Sequence, residues 1–309
     1  MATEYQLPEY AQTGAWLPTP VRSVLRGPIA VYDFLRRYPI IWTVVFALLV
    51  VLAAFAPVIA PHDPIRDADF TRVRNPPIWL EGGAPEFWLG TDQVGRDLWS
   101  RLLYGGRASL MVVAVGMTSG MIIGTSLGLA AGFIGGIVDE IIMRLVDAWI
   151  ALPFIMLALV IKIVLGTSFT IMFLILVLIS WVGFVRPVRG EVLSLRERDY
   201  VSSARVAGAS GFRIAFRHIL PGVSSTVIVL ATLGAGGLVL AEATLSYLGV
   251  GIPQPTPTWG NMVSDGRDYL DTAWWISTMP GIAIFLLVLS LNFLGDWLRD
   301  RWDPKLRQL

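Results

Sequence analysis

Six long apolar runs, at roughly 40–59, 109–134, 141–165, 169–185, 223–248 and 278–295, leave this 309-residue chain few ways to fold. A hydrocarbon core about 30 Å thick takes about 20 apolar residues per crossing helix. Within it the backbone must satisfy its own hydrogen bonds, which admits only helices and closed barrels, and the runs are far longer than barrel strands. The chain therefore reads as an all-α polytopic membrane protein with six transmembrane helices. Its composition agrees, since 55% of residues are hydrophobic and only 15% are charged.

Arginine and lysine set the orientation. Arg22, Arg26, Arg36 and Arg37 precede the first run, seven arginines lie between Arg186 and Arg217, and Arg299, Arg301, Lys305 and Arg307 follow the last run. Basic flanks stay inside, so both termini and the central basic segment are expected in the cytoplasm, with an even number of spans between successive basic regions. The expected organisation is a cytoplasmic tail at 1–39, a first helix at 40–59, an extracytoplasmic loop at 60–108, a core at 109–298 with a cytoplasmic loop at 186–221, and a second tail at 299–309. The first run follows nearly forty residues, and Pro57 follows its Ala54-Phe55-Ala56 cleavage-like pattern, so it reads as a retained helix.

Several features refine this plan. In GTDQVGRDLWSRLLYGGRASL the spacing predicts an amphipathic interfacial helix, with Val94, Leu98, Leu102 and Leu103 opposite Arg96, Asp97 and Arg101. Gly116, Gly120, Gly124, Gly128 and Gly132 recur at every fourth position of the second run, a stripe that lets helices approach closely and is expected at an interface between subunits. In the third run Glu140 and Arg144 stand one turn apart, as a helical ion pair does. Asp147 there and Glu242 in the fifth run are acids inside apolar segments, and each serves either structural pairing or a transport pathway. Trp259, Trp274 and Trp275, in the Pro-rich loop before the last run, suit a membrane interface.

Catalytic chemistry finds no support. A phosphate-binding loop needs Gly-Lys-Ser/Thr, but Lys162 sits between isoleucines and Lys305 follows a proline. His62 and His218 fall on opposite sides of the predicted membrane. With no cysteine, neither disulfides nor thiolate metal sites are possible. No metal site and no cofactor is expected in this chain.

The stretch RERDYVSSARVAGASGFRIAFRHILP is too polar for a bilayer yet forms helices. Asp199 is the expected N-cap of one helix, with Tyr200, Val201, Ala204 and Ala207 on a face and Gly208 as its C-cap. Ser210 is the expected cap of a second, whose Phe212, Ala215, Phe216 and Ile219 oppose Arg213 and Arg217, and Pro221 opens the fifth run. Two short helices standing out of the membrane, with a small-residue surface, suit docking into a groove on another protein.

Ala204, Gly208 and Ile219-Leu220-Pro221 resemble the EAA loop of ABC importer permeases, with Ser202 and Ser203 where the family has Glu and Ala, and His218 in place of Ile. LGTDQVGRDLWSRLLYGGRASL, EATLSYLGVGIPQPTPTWGNM and NFLGDWLRDRWDPKLR resemble the C-type permease of the dipeptide, oligopeptide and nickel branch. The resemblance spans about Leu89 to Arg307. It implies a type I importer fold, a B-type permease as heterodimeric companion, and two ATPase subunits or one fused ATPase carrying ATP and Mg. These would dock on Asp199, Tyr200, Ser202, Ser203, Ala204, Arg205, Ala207, Gly208, Arg213, Arg217 and Pro221. It further implies an extracytoplasmic binding protein and a bacterial inner-membrane location, with peptides as cargo or, alternatively, nickel complexes or another small solute. The rival from another class is a stand-alone secondary transporter or channel that uses Glu242 or Asp147. No nucleic acid is expected as a partner.

Overall fold

The structure, a computed structural model, describes residues 39–302; the first predicted tail lies outside them except for Pro39, and the second outside them from residue 303 on. Every regular element is a helix, and no strand occurs among the described residues. The first apolar run forms α1 (Pro39–Ala54) and the single turn α2 (Ala56–Ile59), separated at Phe55, with Pro57 in the first turn of α2. α1 lies along the last helix of the chain, where Trp42 stacks on Phe293 at 4.8 Å between ring centroids.

The second run belongs to α3 (Leu98–Ile134), which is 37 residues long and begins inside the stretch expected to be a separate amphipathic helix. That expectation fails for a definite reason. Asp97 caps α3, accepting from the Trp99 and Ser100 amides, so residues 91–97 form turns. The charged side chains meanwhile point inward: Arg101 is 2% exposed and Arg96 is buried, whereas Val94 is exposed. Asp92 holds both arginines, with its Oδ2 2.7 Å from Arg96 Nε and 3.3 Å from Arg101 Nε. Arg101 also donates to the Pro64 carbonyl at 3.1 Å.

After α3, Gly135 and Gly136 turn the chain at φ of 73° and 57°, values that residues with a Cβ reach only with strain. The third run then folds as α4 (Gly136–Ile150) and α5 (Phe154–Leu165), bent by 82° at the Ala151-Leu152-Pro153 break. Proline disfavours helical backbone in the residue before it and offers no N–H, which accounts for the break. α6 (Phe169–Ser180), capped by Ser168, and α7 (Val182–Arg196) form one 28-residue apolar helix. It continues ten residues past Arg186, the predicted start of the polar loop.

The glycine stripe of α3 faces α6 and α7 of the same chain. A Cβ on Gly116 would lie 3.1 Å from Leu176, one on Gly128 2.8 Å from Val188, and one on Gly132 2.8 Å from Val192; Gly120 abuts Ser180, and Gly124 abuts the Trp181 carbonyl. Ser180 Oγ donates to the Gly116 carbonyl at 2.8 Å across this contact. The stripe, read as a subunit interface, is thus an intramolecular seam.

Two short helices, α8 (Asp199–Val206) and α9 (Gly211–Arg213), lead through a π-helical stretch at Ile214–Ile219 into α10 (Leu220–Tyr247). α11 (Trp259–Gly266), capped by Thr258, folds back at the opposite end of the bundle, and α12 (Trp275–Trp302) is the last of the described helices. Two of the three tryptophans expected at a membrane interface are core residues instead. Trp259 is buried against Gly105 and Gly106, its Nε1 donating to the Leu102 carbonyl at 2.9 Å, and Trp275 donates to the Thr91 carbonyl. Only Trp274 is exposed.

By length and composition four helices can cross a membrane, or five if the bent α4–α5 pair counts as one span; α1 is apolar but shorter. One cluster, including Leu98, Met172, Leu176, Leu245, Met262 and Leu287, fills the α11 end and the middle of the bundle. A second, including Leu129, Val188, Val192, Ile214 and Ile219, fills the α8–α9 end.

The loop before α3 and the segment around α11 are joined by charge. Asp265 accepts from Gln254 Nε2 at 2.6 Å and lies 3.7 Å from Arg101 Nη2. Removing its charge leaves Asp92 as the one carboxylate beside Arg101 among the described residues. Asp265→Asn is therefore expected to cost about 1–3 kcal/mol and lower the thermal midpoint of the purified chain in detergent. Asp271→Asn, at an exposed position, should not. Equal midpoints would show that this pair holds nothing.

Candidate functional site

The polar stretch between α7 and α10 folds largely as its residues predict, with a one-residue shift at each end of α8, whose C-cap is Ala207 and not Gly208. The second helix has only three α-helical residues before π-helical turns. Arg198 is the extended N-cap of α8, without a side-chain bond, and Asp199 occupies the first helical position, where an acid complements the helix dipole. At the other end Gly208 takes φ of 79°. Its N–H donates to the Arg205 carbonyl at 3.1 Å and that of Ala209 to the Ala204 carbonyl at 3.0 Å, the pairing of a Schellman C-cap. Ser210 accepts from the Arg213 amide at 3.4 Å. The π-helical turns that follow adjoin Pro221, which has no N–H to return to the Arg217 carbonyl.

Burial sorts these residues into an anchor and a free surface. Val201, Ala215 and Ile219 are buried against the second cluster. Tyr200, Ser202, Ser203, Arg205, Ala207, Gly208, Arg213 and Arg217 are exposed, and Ala204 is half-buried. The predicted second face is split, because Phe212 and Phe216 point out while Ala215 and Ile219 point in. Their rings lie 4.3 Å apart. Sequence reasoning missed Val206, which is 90% exposed. The signal was present, since a valine just before a C-cap glycine and off the inward face has nothing in its own helix to cover it.

The charges of the third run find partners that their spacing did not suggest. Among the described residues Glu140 and Arg144 do not pair with each other; Asp139 instead receives two bonds from Arg189, and Asp147 receives one from Arg186. Both arginines belong to α7, so α4 is laced to α7 by charge. Arg196 adds a bond at 3.2 Å to the Phe133 carbonyl near the end of α3. Asp147 and Arg186 are 51% and 53% exposed despite this pairing.

Glu242 is the opposite case, at 1% exposed. Ser246 donates to its Oε1 at 2.8 Å, and Ser109 and Thr258 also reach it, so the acid ties α10 to α3 and to the cap of α11. A cavity of about 320 Å³ lies between α3, α6, α7 and α10, with Met117, Ile179, Gly183, Phe184, Leu233 and Gly237 in its wall. Glu242 is not part of that wall, although its neighbour Ala241 is. Among the described residues no group of three or more His, Asp or Glu side chains is placed to hold a metal ion.

A bundle of long apolar helices, one bent pair among them and a small polar helical pair at one end, has the length and composition of a membrane-embedded subunit. Comparison with known proteins gives the family. The family described as "Binding-protein-dependent transport system inner membrane component" matches residues 124–308, and the chain belongs to it. It is a bacterial inner-membrane permease, and the family is not itself catalytic.

Similar proteins include the di/tripeptide transport system permease protein DppC of Pseudomonas aeruginosa (strain UCBPP-PA14), 43% identical over 264 residues, or 85% of this chain and 86% of that protein. The dipeptide transport system permease protein DppC of Escherichia coli (strain K12) is 48% identical over 272 residues, or 87% of this chain and 89% of that one. Among solved structures, a chain of the MetNI methionine ABC transporter in inward-facing conformations aligns with a TM-score of 0.53 at 20% identity, covering 63% of this chain and 93% of that chain. At that identity the likeness speaks for the fold alone.

Proposed function

We propose that this permease forms one half of the translocation pathway of an ATP-driven importer of di- or oligopeptides. The observation that carries the reading is the α8–α9 surface: Val206 and Phe212 stand largely exposed and Phe216 half-exposed, on the same projection as a bare Gly208. An apolar surface of that kind on a polar projection is a docking site for a protein groove. Its occupant is an ATPase subunit, or one lobe of a fused ATPase, that binds ATP and Mg and is absent from this chain. The close similarity to dipeptide and di/tripeptide permeases over most of the length supports peptide cargo. Nickel complexes and other small solutes are the alternative cargo, and nothing observed here favours them.

In this reading six spans cross the membrane, α1 with α2 and α4 with α5 each counting as one. Both termini and the α8–α9 pair are cytoplasmic, while the loop at 60–97 and α11 face the side from which a binding protein delivers cargo. A B-type permease completes the pathway. The apolar faces that α4 and α5 leave open, including Ile137, Ile141, Met156 and Ile163, meet lipid or that companion. Asp147 belongs to the pathway and Glu242 to the scaffold.

The test is reconstitution. The purified chain alone in liposomes is expected to hydrolyse no ATP and to accumulate no dipeptide, since it has no phosphate-binding loop. Addition of the companion permease, the ATPase and the binding protein should establish ATP-dependent uptake. Uptake by the single chain would favour the stand-alone transporter instead.

A further inference from the structure

The face of α7 that turns away from α3 carries Gly183, Arg186, Pro187 and Gly190, all exposed. Among the described residues, a Cβ placed on Gly183 or Gly190 would meet nothing within 4 Å. Pro187 lies inside the helix, so the Gly183 carbonyl lacks the donor that an N–H four residues on would supply. Gly183 also belongs to the wall of the cavity between α7 and α10. Beside this bare strip stands the Asp147–Arg186 pair, half-exposed on both sides.

These observations conflict with a lipid-facing role. Hydrocarbon penalises charge and free backbone carbonyls alike, and a pair needed only to clamp α4 to α7 would be better hidden, as the Asp139–Arg189 pair is in larger part. That second pair also means that α4 remains tethered if Asp147 and Arg186 part. A bare backbone, an acceptor carbonyl, a cation and an anion together are complementary to an extended zwitterion.

We propose that this face of α7 walls an aqueous cargo route, and that Asp147 and Arg186 exchange each other for the charged termini of a passing peptide, Arg186 taking the carboxylate and Asp147 the ammonium. The exchange replaces one internal ion pair with two, one at each terminus, so neither charge of the zwitterion passes unpaired. Arg suits this role because its planar guanidinium meets a carboxylate with two parallel bonds. The charge exchange rests on the peptide reading above; the aqueous wall does not.

The absence of cysteine makes the wall directly testable. In the assembled complex, with its other subunits made cysteine-free and placed in nanodiscs, Gly183→Cys and Gly190→Cys should react with a charged, membrane-impermeant methanethiosulfonate. We expect rates about tenfold or more above that of Ile163→Cys, which lies on an exposed apolar face of α5. Rates no faster than at Ile163 would mean that lipid or the companion permease covers the strip, and would overturn the proposal.

The exchange is tested by uptake of radiolabelled dialanine. Arg186→Gln should lower uptake about tenfold or more, and Arg186→Lys should fall between Arg186→Gln and the wild type, because the cation persists but the bidentate fork is lost. The swapped variant Asp147→Arg/Arg186→Asp, which rebuilds the internal pair, should stay as impaired as Arg186→Gln. Restored uptake in the swap would reduce the pair to a clamp and overturn the exchange. If the wild-type complex takes up no dialanine, the peptide reading and the exchange fall together, while the labelling still decides the wall. Variants that fail to assemble leave the decision to the labelling arm, in which Asp147 and Arg186 are unchanged.

Discussion

Gly208→Trp is expected to leave the permease folded and paired with its companion while abolishing transport and the stimulation of ATP hydrolysis by loaded binding protein. Nothing lies within 4 Å of a Cβ at this position, so the indole has room in the chain itself. The local cost is the left-handed backbone, about 1–2 kcal/mol for a residue with a Cβ. α8 is independently held by Val201, fully buried in the second core cluster. The surface around Gly208 is nevertheless the one proposed to seat in an ATPase groove, and a large side chain there separates the two surfaces. A loss of stimulation of about tenfold or more, equivalent to 1.4 kcal/mol of docking energy, should appear in the reconstituted complex. Ser202→Ala is the control, because Ser202 is exposed and makes no side-chain bond among the described residues, and it should stay near normal. Stimulation unchanged in Gly208→Trp would remove α8 from the coupling path.

Gly124→Leu should fail earlier, at folding. Its Cβ would collide with the Trp181 carbonyl and lie 2.7 Å from the Cβ of Phe184, so the clash is with backbone as well as side chain. Overpacking costs about 1–3 kcal/mol where side chains can move aside, and a carbonyl inside a helix cannot. We expect the yield of monodisperse protein in detergent to fall about tenfold or more, before any companion subunit is involved. Gly237→Leu provides the comparison, since a Cβ there meets open space, and it should purify like the parent. If Gly124→Leu instead purified normally and failed only on meeting the companion permease, the seam between α3, α6 and α7 would not be the constraint described.

The same contrast shows how far the sequence could be read. Glycine at every fourth position told that α3 packs closely against something, because a repeat of small residues on one helical face has that meaning whatever the partner. It could not name the partner, since α6 and α7 come together with α3 only after the chain has turned at Gly135 and Gly136. The α8–α9 pair was legible nearly residue by residue, because capping by Ser210 and the left-handed Gly208 act over a few residues and need no tertiary context. The split of its second face was not, for Ala215 and Ile219 turn inward only because Leu129, Val188 and Val192 are there to receive them.

Charge was the least legible property. Glu140 and Arg144 have the spacing of a helical pair, yet α7 offered Arg186 and Arg189 to neighbouring acids of α4, and pairing between helices prevailed over pairing along one. Arg96 and Arg101 look like the wet side of an amphipathic helix and are buried, because Asp92 arrives from the loop before α3 and Asp265 from α11. The sequence by itself therefore determined the class of molecule, its apolar helices and its local caps, all of which follow from runs, periods and single residues acting over a turn or two. The tertiary structure alone decided which charges pair, which glycines touch and which face of α7 stays bare, because those depend on segments far apart in the chain, and pairing energies fall off within a few ångströms.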